Sequence, residues 1–133
     1  VDATDPRARE QAGAAIQAPL YGNEVKGVFS ALPEPFDEFV PHLLTSSAFG
    51  DFATRGGLDV AQRELISLVA IAAIGASTQL RPHVAGAIRA GSSRQKVAAA
   101  LVQVMPYIGG PYALSGLVLV ARYDESASWE AYR

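Results

Sequence analysis

Asp59 to Gly91 reads DVAQRELISLVAIAAIGASTQLRPHVAGAIRAG. Asp59, with Gln62 three residues on, forms a capping-box pattern that starts a helix. Behind it, Leu65 to Ile74 contain Ser67 as their only polar member, and Gly75 supplies the stop. A helix this apolar is expected to be buried on nearly every face. Ser77 or Thr78 stands where a cap for the next helix belongs; Pro82 is tolerable there only near the first turn, and Gly91 ends that helix. The centre of the chain is therefore two helices joined by a short glycine turn.

Working outward, the same signals recur. Asp5 as N-cap and Pro6 at the first helical position predict a helix over about Pro6–Ala18. A short helix is expected over about Gly22–Ala31, ending near Leu32-Pro33. Another begins near Pro35 and carries Phe36, Phe39, Val40, Leu43 and Leu44, with a kink or break at Pro41. The segment Ser46–Leu58, SSAFGDFATRGGL, is turn-rich and a candidate functional loop. On the other side, Ser92 and Gln95 repeat the capping-box pattern before a helix over about Ser93–Pro106. Gly109-Gly110-Pro111 then breaks the chain, and a last helix is expected over about Pro111–Tyr123. The polar tail from Asp124, with Trp129 and Tyr132, is read as a short helix packed on a neighbour. No clean period-2 stretch appears. The expectation is an all-α, compact helical domain of about six to seven helices, one domain over 1–133 with its core at 34–123.

Composition bounds the function. A chain of 133 residues supports one core, and its 24 alanines favour closely approaching helices. A formal charge of −2 and a pI near 5.6 give no electrostatic footprint for nucleic acid. The absence of cysteine excludes disulfides, thiolate metal sites and thiol redox chemistry, and fits a reducing compartment. The greasiest run, Leu65–Ala76, is 12 residues and too short for a bilayer, so no membrane association is expected. Val1–Glu10 is polar and lacks the apolar region of a secretory signal. A cytoplasmic location is the resulting expectation.

Glu64 is expected in the first turn of the apolar helix, at the edge of a core and near the positive helix end that favours negative charge. Its structural alternative is a dipole-favouring glutamate beside Arg63. His83 stands beside the stripe Leu80, Val84, Ala87 and Ile88, on the rim of an apolar face, where a satisfied structural histidine is the alternative. His42, the other histidine, is read as structural or exposed. No metal constellation is visible, and no metal is assigned. Arg55, Arg63 and Arg81 are possible bidentate anchors for a carboxylate, or else solvated surface charges. Tyr107 and Tyr112 flank the glycine break and offer either pocket hydroxyls or packed rings.

The run FGDFATRGGLDVAQRELISLVAIAAIGASTQLRPHVAGAIRAG, Phe49–Gly91, followed by YIGGPYAL, Tyr107–Leu114, resembles the carboxymuconolactone decarboxylase family. The resemblance implies a compact fold of the alkylhydroperoxidase D type, built around a helical hairpin. It also implies a homo-oligomer, a trimer or hexamer, with sites close to subunit contacts. In the alkylhydroperoxidase D branch a glutamate precedes a CxxC pair and a histidine. Glu64 and His83 match the first and last of these, while the cysteine positions fall on Ala76 and Gln79. Without those sulfurs a thiol peroxidase cycle has no nucleophile. The decarboxylase branch resembles Glu-Leu-x-x-His, which here reads Gln79-Leu80-Arg81-Pro82-His83, an amide replacing the acid. Arg55 matches the arginine of that branch's arginine-proline-glycine-leucine loop, with Gly56 in place of proline. Glu64 stands where that branch often has a serine.

The resemblance implies a cofactor-independent acid/base enzyme that decarboxylates a small carboxylated lactone or β-keto-type acid. His83 and Glu64 are the expected catalytic pair, and Arg55, Arg81, Gln79 and Tyr107 the expected substrate-binding residues. Isomerisation, cyclisation or lactone opening of a small polar substrate uses the same residues. A non-catalytic ligand-binding protein or oligomeric scaffold is the third reading.

Overall fold

The computed structural model describes residues 5–22 and 24–125; the expectation for the tail at Trp129 and Tyr132 lies outside them. The described residues are helical, without a strand. The helices are α1 (Pro6–Tyr21), α2 (Glu24–Phe29), α3 (Phe36–Leu43), a π segment (Leu44–Phe52), α4 (Val60–Ile74), α5 (Ser77–Arg89), α6 (Arg94–Ile108) and α7 (Gly110–Ala121). They fall into two compact units, Val1–Val60 and Ala61–Arg133.

In the N-terminal unit α1 starts as expected. The Asp5 carboxylate accepts from Arg7 N at 2.9 Å and Pro6 opens the helix. The helix runs past Ala18, through Pro19 to Tyr21, and stops at Gly22, whose φ of 60° suits a residue without Cβ. The kink or break expected at Pro41 takes the form of a change in helix type. Pro41 removes an N–H from the ladder, and beyond Leu43 the helix widens from α to π geometry instead of stopping. Ala53 N donates to Ala48 O, five residues back, in keeping with that wider turn. The loop expected over Ser46–Leu58 is thus corrected: its first seven residues are helical and only the remainder is turn.

Two glycines bring α1 against the π segment. A Cβ on Gly13 would collide with the Thr45 carbonyl oxygen and lie 2.7 Å from Gly50 N, and one on Gly50 would lie 2.8 Å from Arg9 O. Polar rungs cross the seam: Thr45 Oγ1 donates to Gln17 Oε1 at 2.6 Å in a buried setting, and His42 Nδ1 meets Glu10 Oε1 at 3.1 Å. Arg9 Nε stands 3.4 Å from Asp51 Oδ1, an ion-pair distance without the alignment of a hydrogen bond. Tyr21 and Phe49 close one end edge to face, 5.7 Å between centroids.

In the C-terminal unit one core draws on four helices: Leu68 and Ala72 from α4, Leu80, Val84 and Ala87 from α5, Val97 and Leu101 from α6, and Val120 from α7. Gly116 lets α7 approach α6, since a Cβ there would lie 3.0 Å from both Leu101 methyls. Arg94 Nη2 donates to the carbonyls of Val120 and Ala121 at 2.9 and 3.0 Å, a cation on the last carbonyls of α7. Two capping expectations are corrected. The residue before α5 is Ala76, with no side-chain cap from Ser77 or Thr78, which lie inside the helix. The cap of α6 is Ser93, accepting from Lys96 N at 3.0 Å, while Ser92 is buried. The expectation that α4 is buried on nearly every face is corrected too. Glu64, Leu68 and Ala72 form its buried stripe, whereas Ile66 is 54% and Ile74 76% exposed.

Candidate functional site

Glu64 is a carboxylate on the buried stripe of α4, one turn before Leu68; the first-turn position expected for it is corrected, because α4 begins at Val60 and has no acidic residue in its first turn. Its spacing of four residues from Leu68 and eight from Ala72 puts it on the face that carries α4's contribution to the core. It is 7% exposed. Burying a carboxylate is costly unless polar groups answer it, so Glu64 is not a solvated surface charge of an ordinary kind.

His83 sits on α5 between Leu80 and Ala87, three residues from one and four from the other, so it borders the helix's core face. It is partly buried. Its Nδ1 lies 2.8 Å from the carbonyl oxygen of Gln79, one turn earlier. A carbonyl only accepts, so Nδ1 carries the proton and the neutral ring presents Nε2 as its basic nitrogen. Burial pulls the His83 pKa below the usual 6.5, and the Gln79 carbonyl, which favours the charged ring, only partly offsets this.

The sign of this shift sets a stability prediction. With its folded-state value depressed, His83 binds fewer protons folded than unfolded, so stability is fully present above about pH 6.5 and is lost as pH falls through the folded-state value. Urea unfolding between about pH 7.5 and pH 5 should show a smaller loss for His83→Asn than for the unaltered chain. An equal loss in both would remove His83 as a source of the pH dependence.

The remaining expected site residues are placed less uniformly. Gln79 lies four residues before His83, on the same side of α5, and is partly buried. Arg81 is exposed and only two residues from His83, a spacing that directs the two side chains to different sides of the helix. Tyr107, near the end of α6, is 83% exposed. The Tyr112 ring packs over the turn between α4 and α5, where a Cβ on Gly75 (φ 70°) would lie 3.1 Å from it. Arg55, in the N-terminal unit, donates from Nε to the Phe52 carbonyl at 3.2 Å and sits over the Phe52 ring, 5.3 Å from its centroid. The anchoring of His83 to its own helix was not anticipated from the sequence, although the four-residue spacing from Gln79 was there to be read.

Among the described residues no group of three or more His, Asp or Glu side chains is placed to hold a metal ion, and no helix is long and apolar enough to cross a membrane. A comparison with curated proteins finds no match. The sequence profile of the carboxymuconolactone decarboxylase family matches residues 40–122. That match covers more than half of the chain, over helices that carry Glu64 and His83 in one all-helical fold, and the chain therefore belongs to the carboxymuconolactone decarboxylase family.

Proposed function

We propose that the chain is a cofactor-independent acid/base enzyme that decarboxylates a small carboxylated lactone or β-keto-type acid, with His83 carrying the proton. The supporting observation is the fixed tautomer of His83: Nδ1 is held by the Gln79 carbonyl, so Nε2 is the nitrogen that exchanges a proton. In the reaction the C–C bond to the substrate carboxylate breaks and CO2 departs. The electron pair passes into the adjacent carbonyl as an enolate, and Nε2–H of the imidazolium protonates the resulting carbon. Neutral His83 then regains a proton from water. Burial makes the imidazolium a stronger acid than an ordinary one and favours dispersal of charge as CO2 leaves.

In this proposal Glu64 is the second catalytic group, a buried carboxylate, and Gln79 offers a hydrogen bond to the substrate carbonyl. Arg55 and Arg81 are the proposed carboxylate anchors and Tyr107 a proposed contact at the rim. The exposed apolar Ile66 and Ile74 support a homo-oligomer, and in the proposed trimer or hexamer Arg55, Arg81 and Tyr107 meet a second subunit.

The neutral Nε2 favours a second reading: proton abstraction for isomerisation or lactone opening. The two readings separate in an assay of CO2 release from carboxymuconolactone and from a β-keto acid. CO2 release supports decarboxylation; conversion of the lactone without CO2 supports the second reading. Tight binding without turnover of either kind would defeat both and favour a ligand-binding protein.

A further inference from the structure

Tyr112 stands in the first turn of α7, placed by the residues just before it. Gly109, at φ 92°, turns the chain, and Pro111 fixes the backbone at the position before Tyr112. From there the ring reaches the turn between α4 and α5. A Cβ on Gly75 would lie 3.1 Å from its Cζ and 3.2 Å from its Cε1 and Oη. Gly75 also has φ 70°, so this turn needs a glycine both for its backbone angle and for the approach of the ring.

The two sides of that turn are held differently. On the α4 side the amide of Gly75 donates to Ala72 O and that of Ala76 to Ile71 O, both at 3.2 Å, the paired bonds of a Schellman motif. On the α5 side no side chain caps the helix. Ser77 N donates to Gly75 O at 2.9 Å and Gln79 N to Ala76 O at 3.0 Å, so the first turn of α5 hangs on the Gly75–Ala76 backbone. An uncapped first turn frays readily unless something else holds it. Gln79 is the third residue of that turn, and its carbonyl is the acceptor that holds the proton on His83 Nδ1, 2.8 Å away.

We infer that Tyr112 is a positioning residue for His83. Its ring, resting over Gly75, keeps the uncapped first turn of α5 formed, and so keeps the Gln79 carbonyl where it fixes the imidazole tautomer. The effect is one of packing, since a flat ring against a glycine leaves the turn no room to unwind on that side. The hydroxyl is not required for it, because the ring atoms Cζ and Cε1 make the contact. Its value for catalysis rests on the reading of His83 as the proton carrier, whereas the tautomer is a property of the protein alone.

The test reads the His83 tautomer from imidazole nitrogen NMR shifts of the full chain, without substrate, at a pH where the ring is neutral. His83→Asn assigns the signals. In the unaltered chain nearly the whole population should carry the proton on Nδ1. Tyr112→Ala should lower that share to roughly half, because a frayed turn opens at a free energy near zero. Tyr112→Phe, which keeps the contacting ring atoms, should leave it unchanged. Ala76→Ser in the Tyr112→Ala background should restore it, since a serine at that position can cap α5. The ring is half-exposed and outside the core, so these variants should fold. Tyr112→Leu, which lacks the flat ring, carries the same expectation if the alanine variant does not fold. A shift in Tyr112→Ala supports the inference even where the unaltered chain releases no CO2, a result that counts against the proposed function alone. An unchanged tautomer in Tyr112→Ala, an equal loss in Tyr112→Phe, or no recovery with Ala76→Ser would each overturn the inference.

Discussion

His83→Asn should slow CO2 release by about 10²- to 10⁴-fold, the range associated with loss of a positioned proton carrier. Asparagine is the informative replacement because its amide N–H can take over the bond that Nδ1 makes to the Gln79 carbonyl. It thereby keeps the local geometry of α5 and removes only the nitrogen that titrates. The loss should fall on kcat and not on KM, since the proton moves in the transition state. The fold should survive, because His83 borders the core without being one of its fully buried members. Release within threefold of the unaltered chain would show that His83 positions structure and carries no proton.

The second large effect is on stability and arises far from this chemistry in sequence. Gly13→Ala should destabilise the protein by about 3 kcal/mol, near the top of the range for overpacking. In an open helical position the same substitution gains roughly 0.5–1 kcal/mol, because alanine loses less conformational freedom on folding. At Gly13 the added Cβ meets the Thr45 carbonyl oxygen and the Gly50 amide, both backbone, so neither can swing aside. The α1 contact with the π segment must part, with the buried Gln17–Thr45 bond in the same seam. Gly27, on α2 with nothing within 4 Å of its ideal Cβ, provides the reference. Urea unfolding should give opposite signs for Gly13→Ala and Gly27→Ala. Two changes of the same sign would show that the seam is looser than its geometry implies.

The parts of the fold that were legible in the sequence are those written in local chemistry. Asp5 before Pro6, Gly75 after Ile74 and the glycine break before Pro111 act through the backbone of a few residues, and each marks a helix boundary that the structure shows. The stripe Leu80, Val84 and Ala87 was readable because helical periodicity alone puts those residues on one face. What escaped depended on partners distant in sequence. Pro41 predicts a kink or a break, whereas the form it takes depends on α1, which packs along the segment beyond it through Gly13 and Gly50 while the helix continues in π form. Gly50 consequently reads as a turn in sequence and acts as a packing contact in the fold. The hydrophobicity of α4 suggested burial all round, yet a one-dimensional pattern does not tell a face that meets a core from one left exposed, as at Ile74.

At the candidate site, the sequence pointed to Glu64 and His83 as residue types at a family spacing, and their burial adds a physical reason to keep them together in a proposal. Arg81 is placed differently, and its proposed role as an anchor is toward a second subunit. It is close to His83 in sequence, but helix geometry sends a residue two positions away to another side, and it is exposed. Nearness along the chain is a poor guide to shared chemistry on a helix. The carbonyl of Gln79, which any residue type would have supplied, fixes the tautomer of the proposed proton carrier.

The central claim is that His83 delivers a proton from Nε2 with a pKa lowered by burial. The pH dependence of kcat/KM for CO2 release tests it most directly. The rate should rise as pH falls, with its inflection below the ordinary histidine value of 6.5 and absent from the His83→Asn variant. A rate that instead rises with pH through that region, or an inflection that persists in His83→Asn, would contradict it.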